Sequence, residues 1–392
     1  MSTRPLRIGI TCYATPGGSG VVATELGKHL AHKGHSVHFI TNALPLRLRG
    51  FEEHIVFHPV EAESYPLFNH QPYALNLAAK MSEVIEREAL DILHVHYALP
   101  HAVSAFLAKQ IVLPREVKVV TTLHGTDITL VGQQPSFFSV TKFSIEQSDA
   151  VTAVSAWLRD QTVASFGVKN PIHVVHNFVD TNRFAPVRDP RRRLLFARPD
   201  ELILMHASNF RPVKNAPRVV EVFHAALRKV PARLLLVGEG PELPACRSLA
   251  RELGITDRIV FLGEQEYIEA LLPYADLFLL PSDHESFGLV ALEAMSCAVP
   301  VIATRGGGTA EVIDDGTSGF LADPGDVAGM SELAIELLQD GERRVAVGAA
   351  ARAAARARFD IEPAVERYLD LYASLMGEGR PVAAPARGEP VG

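Results

Sequence analysis

Two glutamates, Glu285 and Glu293, stand eight positions apart in the segment PSDHESFGLVALEAMSCAVPVIATRGGGTAEVI (281–313). The segment begins at the end of a predicted strand and enters a predicted helix. At a rise of about 1.5 Å per residue, the carboxylates could lie on the order of 10 Å apart, suiting two hydroxyl-bearing parts of one extended ligand. Phe287, Gly288 and Leu289 would present backbone N–H groups at the helix start. Two solvated glutamates beside an ordinary helix are the alternative, because a spacing alone is a weak motif.

A basic pair follows a predicted strand in the second half of the chain, in HASNFRPVKN (206–215). Arg211 and Lys214 are three positions apart on a loop that enters a helix. A planar guanidinium and a compact ammonium group suit the two phosphates of a leaving nucleoside diphosphate. Cations at a helix N-terminus are unfavourable to the helix dipole, so a bound anion would explain their position. An exposed basic helix start is the alternative.

A glycine turn, Gly17-Gly18-Ser19-Gly20, lies within CYATPGGSGVVATELGKHL (12–30). It is not a Walker A loop, because no Lys-Ser/Thr pair follows, and it is not G-x-G-x-x-G, because the next glycine is Gly27. A strand, a glycine turn and a helix nevertheless present backbone N–H groups to an anion. We therefore predict an anion-binding turn, with a tight structural turn as the alternative.

Histidines occur at predicted strand ends in HVHYALPHA (94–102) and TTLHGTD (121–127). His94 and His96 alternate along a strand and share a face, but no carboxylate or cysteine partners complete a metal shell around them. The sequence also has no convincing D-x-D element, so we expect no metal site. His124, which precedes Gly125, is the better candidate for a substrate contact. The alternative is a structural histidine bonded to a carbonyl oxygen.

The elements that would position these residues alternate between apolar strands and helical patterns. Strands are predicted at 7–13, 35–41, 91–97, 117–127, 150–155 and 172–180, and then at 202–208, 232–241, 257–263, 275–282, 299–304 and 318–322. Helices between them include 21–34, 75–88, 215–230 and 289–297. Near-continuously apolar strands that alternate with helices indicate parallel sheets covered on both faces. We predict an α/β protein with two Rossmann-like, doubly wound parallel-sheet domains.

The composition of the chain suggests where these domains end. We place an N-terminal domain at 1–180, a linker at 181–200, a C-terminal domain at 201–361, a C-terminal helix at 362–377 and a disordered tail at 378–392. The linker is polar, basic and proline-bearing, and the tail is rich in Gly, Pro and Ala. Ligands of such sheets bind beyond the carboxyl ends of the strands. Two facing domains would therefore place the ligand site in a central cleft.

The overall composition is that of an ordinary globular protein, with 392 residues, 47% of them hydrophobic and 21% charged. The formal net charge of −7 argues against a nucleic-acid partner or an anionic membrane. Cys12, Cys246 and Cys297 are far apart, which fits a reducing cytosol and gives no disulfide framework. We find no signal-peptide pattern and no membrane-spanning apolar run, so we expect a cytoplasmic protein. The sequence leaves the oligomeric state open, a homo-oligomer included.

The segment 281–313 and the pattern S-N-F-R-x-V-K at 208–214 resemble the signatures of retaining glycosyltransferases of family 4, which have the GT-B fold. The resemblance implies that Glu285 contacts the donor sugar and that Glu293 holds the ribose hydroxyls of the nucleotide. The backbone at 287–289 would meet the sugar and the diphosphate. Ser286 stands where this family often has glycine, and we expect little loss because the neighbouring Phe-Gly-Leu is intact.

The same resemblance implies a wider donor site and four catalytic residues. The donor-binding residues would be Gly17, Gly18, Ser19, Asn209, Arg211, Lys214, Glu285, Phe287, Gly288, Leu289 and Glu293, and the catalytic residues would be Lys214, Arg211, Glu285 and His124. Arg211 and Lys214 would clamp the diphosphate. The glycine turn would approach the diphosphate and the acceptor from the opposite domain, and His124 would contact the 6-hydroxyl of the donor sugar or the acceptor.

Longer segments, among them ITCYATPGGSGVVATELGKHLAHKGHSVHFIT and DILHVHYALPHAVSAFLAKQ, resemble the branch of this family that acts in bacillithiol biosynthesis. This resemblance implies transfer of N-acetylglucosamine (GlcNAc) from UDP-GlcNAc to L-malate, with no metal and no tightly bound cofactor. L-malate is a dianion, which hydroxyl groups, amides and cations would bind. The candidates are Tyr97, Thr122 and Asn177 at predicted strand ends, and the cations Arg47 and Lys142.

The sequence offers no obvious carboxylate pair for a double displacement. The family resemblance implies front-face substitution instead, in which the departing phosphate oxygen takes the proton of the acceptor hydroxyl. The protein would act by positioning the substrates and by stabilising negative charge on UDP. Three alternatives remain open: an inositol phosphate acceptor, a GT-B nucleotide-sugar epimerase, and a non-enzymatic nucleotide-sugar sensor.

Overall fold

The computed structural model describes residues 4–15, 17–61, 72–187 and 189–377. The predicted disordered tail at 378–392 lies outside these residues, as does Pro16, which precedes the glycine turn. The described chain divides into two compact units. Unit 1 contains the residues up to Asn177 and those from Glu362 onward, and unit 2 contains Phe178–Ile361.

Each unit is built on one sheet whose neighbouring strands are parallel. Unit 1 has β1 (Arg7–Thr11), β2 (Ser36–Thr41), β3 (Ile55–Pro59), β4 (Ile92–His96), β5 (Lys118–Leu123), β6 (Ala150–Ala153) and β7 (Ile172–Val174), in the order β3-β2-β1-β4-β5-β6-β7. Unit 2 has β8 (Leu202–Ala207), β9 (Ala232–Val237), β10 (Ile259–Gly263), β11 (Leu277–Leu280), β12 (Val301–Thr304) and β13 (Phe320–Ala322), in the order β10-β9-β8-β11-β12-β13. The predicted pair of doubly wound parallel sheets is confirmed.

Helices connect the strands and cover the sheets. In chain order they are α1 (Gly18–His32), α2 (Tyr73–Glu88), α3 (Val103–Ile111), α4 (Pro135–Glu146), α5 (Ala156–Phe166), α6 (Pro190–Arg193), α7 (Ala216–Leu227), α8 (Leu243–Glu252), α9 (Leu289–Ser296), α10 (Thr309–Val312), α11 (Val327–Gln339), α12 (Gly341–Phe359) and α13 (Ile361–Leu375). Among the described residues, every helix is too short or too polar to span a lipid bilayer.

The strand sequences explain why the sheets are covered on both faces. β11 reads LFLL and β12 reads VIAT, and every residue of both strands is buried. Leu277 and Leu279 of β11 and Ile302 of β12 lie in the core of unit 2, into which α7 packs Val219, Val220 and Phe223. Each large apolar side chain buried in this way contributes about 2 kcal/mol, so these continuous apolar runs can only be central strands.

Two strands differ from the sequence-based expectation. β3 was not predicted, because it is an edge strand in which only His58 is buried and Val56 is 43% exposed. It therefore lacks the continuous apolar run that marks a central strand. β7 ends at Val174 instead of continuing to 180, and the chain passes into unit 2 directly after Asn177.

The borders of the two units also differ from those we expected. Residues 181–200, predicted as a linker, belong to unit 2. Phe184 is buried there, and its carbonyl oxygen accepts a hydrogen bond of 2.7 Å from Ser296 Oγ. The C-terminal helix α13 is not a separate element, because it packs into unit 1 and buries Tyr368 and Tyr372.

Candidate functional site

An ion pair between Lys214 and Glu285 lies at the centre of the candidate site in unit 2. Lys214 ends a 3₁₀ turn (Pro212–Lys214) after β8, and Glu285 follows β11. Lys214 Nζ lies 2.6 Å from Glu285 Oε1, and the two side chains are 21% and 12% exposed. β8 and β11 are neighbours in the sheet. Their carboxyl ends therefore bring together two residues that are 71 positions apart.

Glu285 is held through both its carboxylate and its backbone. Ser282 Oγ donates to Glu285 Oε1 at 2.7 Å. Glu285 N donates to Gly306 O at 3.2 Å, and the Glu285 carbonyl accepts from Gly308 N at 2.7 Å. Gly307 has a φ of +76°, and a Cβ atom there would lie 2.1 Å from Glu285 O. Only glycine fits, so the GGG sequence after β12 serves to hold Glu285.

The loops after β8 and β11 are tied to each other. Asp283 N donates to Val213 O at 2.9 Å, and Asn215 Nδ2 donates to Asp283 Oδ1 at 2.6 Å. Arg211 and Asn209 are exposed on the first of these loops. The side chain of Arg211 makes no hydrogen bond or ion pair with the residues that the structure describes. Of the two cations in the predicted diphosphate clamp, one is therefore paired to a carboxylate and the other is not.

The segment between the two predicted glutamates has the expected loop–helix form. α9 begins at Leu289, directly after Gly288, which has a φ of +88°. Phe287 is buried and packs edge-on against Phe359, with ring centroids 5.5 Å apart. Glu293 lies in α9 and is 7% exposed. The roles of these residues toward a ligand stay predictions.

In unit 1 the glycine turn forms the start of α1. Gly17 immediately precedes the helix, which begins with Gly18 and Ser19. A Cβ atom at Gly20 would lie 2.5 Å from Tyr13 O, so the chain can turn this tightly only with glycine. The first N–H groups of a helix have no partner within it and lie at the positive end of its dipole. An anion would be stabilised there, although that role stays a prediction.

Three histidines form a row at the carboxyl edge of the unit 1 sheet. His94 and His96 lie in β4, and His124 follows β5. His96 Nδ1 lies 2.8 Å from His124 Nε2, and the His94 and His96 rings stack with centroids 4.5 Å apart. Burial lowers the pKa of His94 and of His124 to about 3, and the pKa of His96 to well below its usual value. All three imidazoles are therefore neutral near pH 7.

The other end of this row meets the C-terminal helix α13. His94 Nδ1 lies 2.7 Å from the Tyr372 hydroxyl, and His94 Nε2 lies 2.7 Å from Thr122 Oγ1. Thr122 Oγ1 also lies 2.7 Å from Thr152 Oγ1 and 3.4 Å from the Tyr368 hydroxyl. Thr122 is a predicted acceptor ligand, and its hydroxyl group is engaged in this buried network.

Two further predicted acceptor ligands lie close to the carboxyl edge of the same sheet. Tyr97 directly follows β4 with a φ of +88°. Its ring is half-buried and lies 5.2 Å from the His124 ring, centroid to centroid. Asn177 follows β7 and is 8% exposed. The structure therefore brings Tyr97 directly to His124.

The two predicted acceptor cations are in different surroundings. Arg47 Nη1 lies 3.0 Å from Glu25 Oε1, and their side chains are 7% and 10% exposed. The charge of Arg47 is therefore balanced by a buried carboxylate. Lys142 lies in α4, and its Nζ contacts the Gly167 carbonyl oxygen at 3.5 Å and Glu146 Oε1 at 4.0 Å.

Sequence reasoning missed Asp127, the last residue of TTLHGTD. Its carboxylate is buried and accepts from Ala98 N and from Gly125 N, both at 2.9 Å. It therefore joins the loop that carries Tyr97 to the loop that carries His124. Desolvation raises the pKa of the Asp127 carboxyl, opposed by the backbone hydrogen bonds. An aspartate two residues after glycine was the available signal, since Asp side chains commonly bond to nearby backbone in turns.

Within the described ranges, one group of side chains has the proximity of metal ligands: His38, His58 and Glu88. His38 Nδ1 lies 3.0 Å from His58 Nε2. The remaining ring nitrogens contact Ser36 Oγ at 3.0 Å and an Arg87 guanidinium nitrogen at 3.1 Å. Each imidazole nitrogen thus has a protein partner, and a cation adjoins the pair, so hydrogen bonding explains this cluster without a metal.

Two protein-family models match the chain. Glycosyltransferase Family 4 matches residues 16–183, and Glycosyl transferases group 1 matches residues 188–354. The chain is 47% identical over 376 residues to N-acetyl-alpha-D-glucosaminyl L-malate synthase of Bacillus anthracis, covering 96% of this chain and 98% of that protein. It is 31% identical over 322 residues to D-inositol 3-phosphate glycosyltransferase 1 of Catenulispora acidiphila, covering 74% of each chain.

Solved structures with the same fold include two at low sequence identity. Sucrose-phosphate synthase from Thermosynechococcus elongatus superposes with a TM-score of 0.81 at 22% identity, covering 95% of this chain and 99% of that one. Anabaena HepE in complex with UDP-glucose superposes with a TM-score of 0.78 at 21% identity, covering 94% of this chain and 100% of that one. These likenesses identify the α/β architecture as GT-B.

Proposed function

This chain belongs to glycosyltransferase family 4, and we propose that it transfers GlcNAc from UDP-GlcNAc to the hydroxyl group of L-malate. The products would be GlcNAc-α-malate and UDP, and the reaction would be the first step of bacillithiol biosynthesis. The similarity to the Bacillus anthracis synthase carries this assignment, because the identity of 47% extends over 96% of the chain.

The Lys214–Glu285 pair supports binding of the nucleotide sugar by unit 2. We assign Arg211 and Lys214 to the diphosphate, Glu285 to the sugar and Glu293 to the ribose hydroxyls. Because Lys214 is already held 2.6 Å from Glu285 Oε1, its side chain loses little conformational freedom when an anion binds. Arg211 supplies a second charge from the loop before α7.

The proposed chemistry needs no protein nucleophile. The bond between C1 of the sugar and the β-phosphate oxygen breaks, while a bond forms on the same face between C1 and the malate hydroxyl oxygen. The hydroxyl proton moves to the departing phosphate oxygen, and the α-configuration is retained. Negative charge builds up on UDP as the bond breaks, so fixed cations at the diphosphate would lower the barrier.

We assign the acceptor to unit 1. The start of α1 at 17–19 can receive a carboxylate through backbone N–H groups. Tyr97 and Asn177 can supply hydrogen bonds at the same edge of the sheet. The Thr122 hydroxyl is engaged with His94 and Thr152, so Thr122 would support this edge from behind.

We propose that the reaction needs no metal and no tightly bound cofactor, because Arg211 and Lys214 can neutralise the diphosphate charge that a divalent cation otherwise offsets. Turnover should be the same before and after treatment with EDTA, and a loss that Mg²⁺ restores would contradict this. The three buried free cysteines and the net charge of −7 support a cytoplasmic enzyme of small-molecule substrates, with no nucleic-acid or membrane partner.

The test is release of UDP from UDP-GlcNAc, measured in parallel with L-malate, D-malate and inositol phosphate. We expect rapid release with L-malate and only background release with the other two. Incubation with UDP-GlcNAc alone is the control for an epimerase, which would form an epimer without any acceptor. Binding of UDP-GlcNAc without turnover in every mixture would favour a nucleotide-sugar sensor.

An inositol phosphate acceptor is the second candidate. It is favoured by the 31% identity to the D-inositol 3-phosphate glycosyltransferase. That match covers 74% of the chain, compared with 96% for the malate synthase. Rapid UDP release with inositol phosphate and not with L-malate would reverse our preference.

A further inference from the structure

His96 is the middle imidazole of the histidine row, and among the residues that the structure describes only one of its two nitrogens finds a hydrogen-bond partner. The residue is fully buried, and its Nδ1 lies 2.8 Å from His124 Nε2. His96 Nε2 is buried and has no hydrogen-bond partner in the described part of the chain. His124 is half-buried, and its Nδ1 makes no hydrogen bond with any described residue and is not closed off from solvent.

Two neutral arrangements fit the contact between these histidines. In the first, His96 Nδ1–H donates to His124 Nε2, which leaves a lone pair on the buried His96 Nε2 and a proton on His124 Nδ1. In the second, His124 Nε2–H donates to His96 Nδ1, which buries an unpaired N–H at His96. Orphaned buried N–H groups are rarer in proteins than under-satisfied acceptors. The first arrangement is therefore the favoured one.

His101, which neighbours this row, already has a buried imidazole lone pair without a partner. Its Nδ1 contacts the His96 carbonyl oxygen. Because a carbonyl oxygen can only accept, His101 Nδ1 carries the proton. His101 Nε2 therefore carries a lone pair. Like His96 Nε2, this atom is buried and has no hydrogen-bond partner among the described residues. The fold thus already contains, at His101, the buried and unpartnered lone pair that the first arrangement requires at His96 Nε2.

We propose that His96 is a positioning residue that holds His124 in its Nδ1–H tautomer, so that His124 offers a neutral hydrogen-bond donor to a substrate oxygen. The identity of that substrate rests on the proposed function, whereas the tautomer does not. Such a donor can bind a sugar hydroxyl or an acceptor carboxylate without giving up its proton. This role fits a reaction in which the departing phosphate oxygen takes the acceptor's proton.

Burial keeps both rings neutral over the working range of pH. It lowers the pKa of His124 to about 3 and that of His96 to well below its usual value. Neither ring becomes an imidazolium near pH 7, so the tautomer and not the charge decides which atom His124 presents to the substrate.

The direct test is long-range ¹H–¹⁵N correlation on the full-length protein labelled with ¹⁵N-histidine. We expect the His124 ring to show a protonated Nδ1 and an unprotonated Nε2, with the signals assigned by their loss in His124→Gln. A protonated Nε2 on His124, or an equal mixture of the two tautomers, would overturn the proposal.

Kinetics of His96 variants give a second readout. Asn places an N–H donor close to the position of the imidazole Nδ1–H, so His96→Asn should keep kcat/KM within about threefold of the natural enzyme. His96→Leu removes the donor and should lower kcat/KM roughly tenfold, which is the value of one hydrogen bond. The exposed His32 provides the matched control, His32→Leu, which should change nothing. Equal losses in His96→Asn and His96→Leu would contradict the proposal.

Thermal unfolding of each variant separates loss of the donor from loss of the fold. If L-malate proves not to be the acceptor, the tautomer measured by NMR still stands, and the kinetic comparison is repeated with the true acceptor. If L-malate is the acceptor and His124 carries its proton on Nε2, the proposed function stands and this inference fails.

Discussion

Lys214 Nζ lies 2.6 Å from Glu285 Oε1, although one residue follows β8 and the other follows β11. In the proposed function one of them binds the diphosphate and the other binds the sugar. The sugar and the phosphate on either side of the breaking bond would therefore contact two side chains that already hold each other in place through their ion pair. This relationship makes the effect of removing either partner predictable.

Replacement of Lys214 by alanine should lower turnover by about two orders of magnitude or more, because a donor that stabilises the developing charge is lost. Within the described part of the chain, the Glu285 carboxylate would then keep only the hydrogen bond that Ser282 Oγ donates to it. Steady-state UDP release at saturating UDP-GlcNAc is the measurement. Lys229, exposed after α7, gives the matched control Lys229→Ala. Near-natural turnover in Lys214→Ala would refute the diphosphate clamp.

Replacement of Arg211 by alanine should also cost about two orders of magnitude in turnover, but without any loss of stability. Arg211 is exposed, and its side chain makes no ion pair or hydrogen bond with the described residues, so its removal breaks no such interaction in the folded state. The melting temperature should stay within error of the natural protein while UDP release falls. Arg228→Ala, also exposed, is the control. A variant that melts earlier and reacts normally would show a structural arginine.

The stability of the protein should fall as the pH falls from 6.5 to 5. Burial lowers the folded-state pKa of His94 and His124 to about 3 and that of His38, His101 and His206 to about 4. The unfolded chain has histidine pKa values near 6.5, so in this window it binds more protons than the folded chain. Each of these histidines then lowers the free energy of unfolding by at most about 1.4 kcal/mol per pH unit. Asp127 has the opposite effect, because its pKa is raised in the folded state.

The check is the free energy of unfolding by urea at pH 6.5, 5.75 and 5.0, above most of the carboxylate titration range. Removing one buried histidine by His206→Gln should reduce the slope against pH. A slope of zero in the natural protein would mean that the folded chain takes up as many protons in this window as the unfolded chain, which would contradict the lowered pKa values.

Replacement of Tyr372 by phenylalanine should destabilise the protein by about 1–3 kcal/mol, because it leaves the buried His94 Nδ1 without its partner at 2.7 Å. Urea denaturation measures this loss. Tyr267, which is 57% exposed, gives the control Tyr267→Phe, expected to stay within about 0.5 kcal/mol. Equal effects of the two substitutions would mean that the hydroxyl of Tyr372 contributes nothing to the network.

The sheets could be predicted from sequence because a central parallel strand needs a nearly continuous apolar run, as LFLL in β11 shows. The edge strand β3 has no such requirement, and the pattern did not predict it. The pairing of Lys214 with Glu285 was beyond sequence reasoning for another reason. It depends on β8 and β11 being neighbours, and strand order is set by packing of whole elements and not by any local pattern.

Thr122 shows that residues far away in the chain can determine the hydrogen bonds of a candidate site residue. Its position near the end of a strand predicted a hydroxyl available to the acceptor. In the structure the Tyr368 hydroxyl lies 3.4 Å and His94 Nε2 lies 2.7 Å from Thr122 Oγ1, and the role of Thr122 toward an acceptor stays a prediction. Tyr368 follows Thr122 by 246 positions, so no local pattern around TTLHGTD could have indicated it.

The return of α13 to unit 1 has a consequence for how the newly translated chain folds. Unit 2 is continuous in the chain, at Phe178–Ile361, so all of its residues have been translated before α13 is made. The last helix of unit 1 emerges from the ribosome only after unit 2 is complete, and the hydroxyl that bonds His94 arrives with it. A nascent chain stalled before residue 372 would carry a complete unit 2 and a unit 1 whose polar interior is still unfinished.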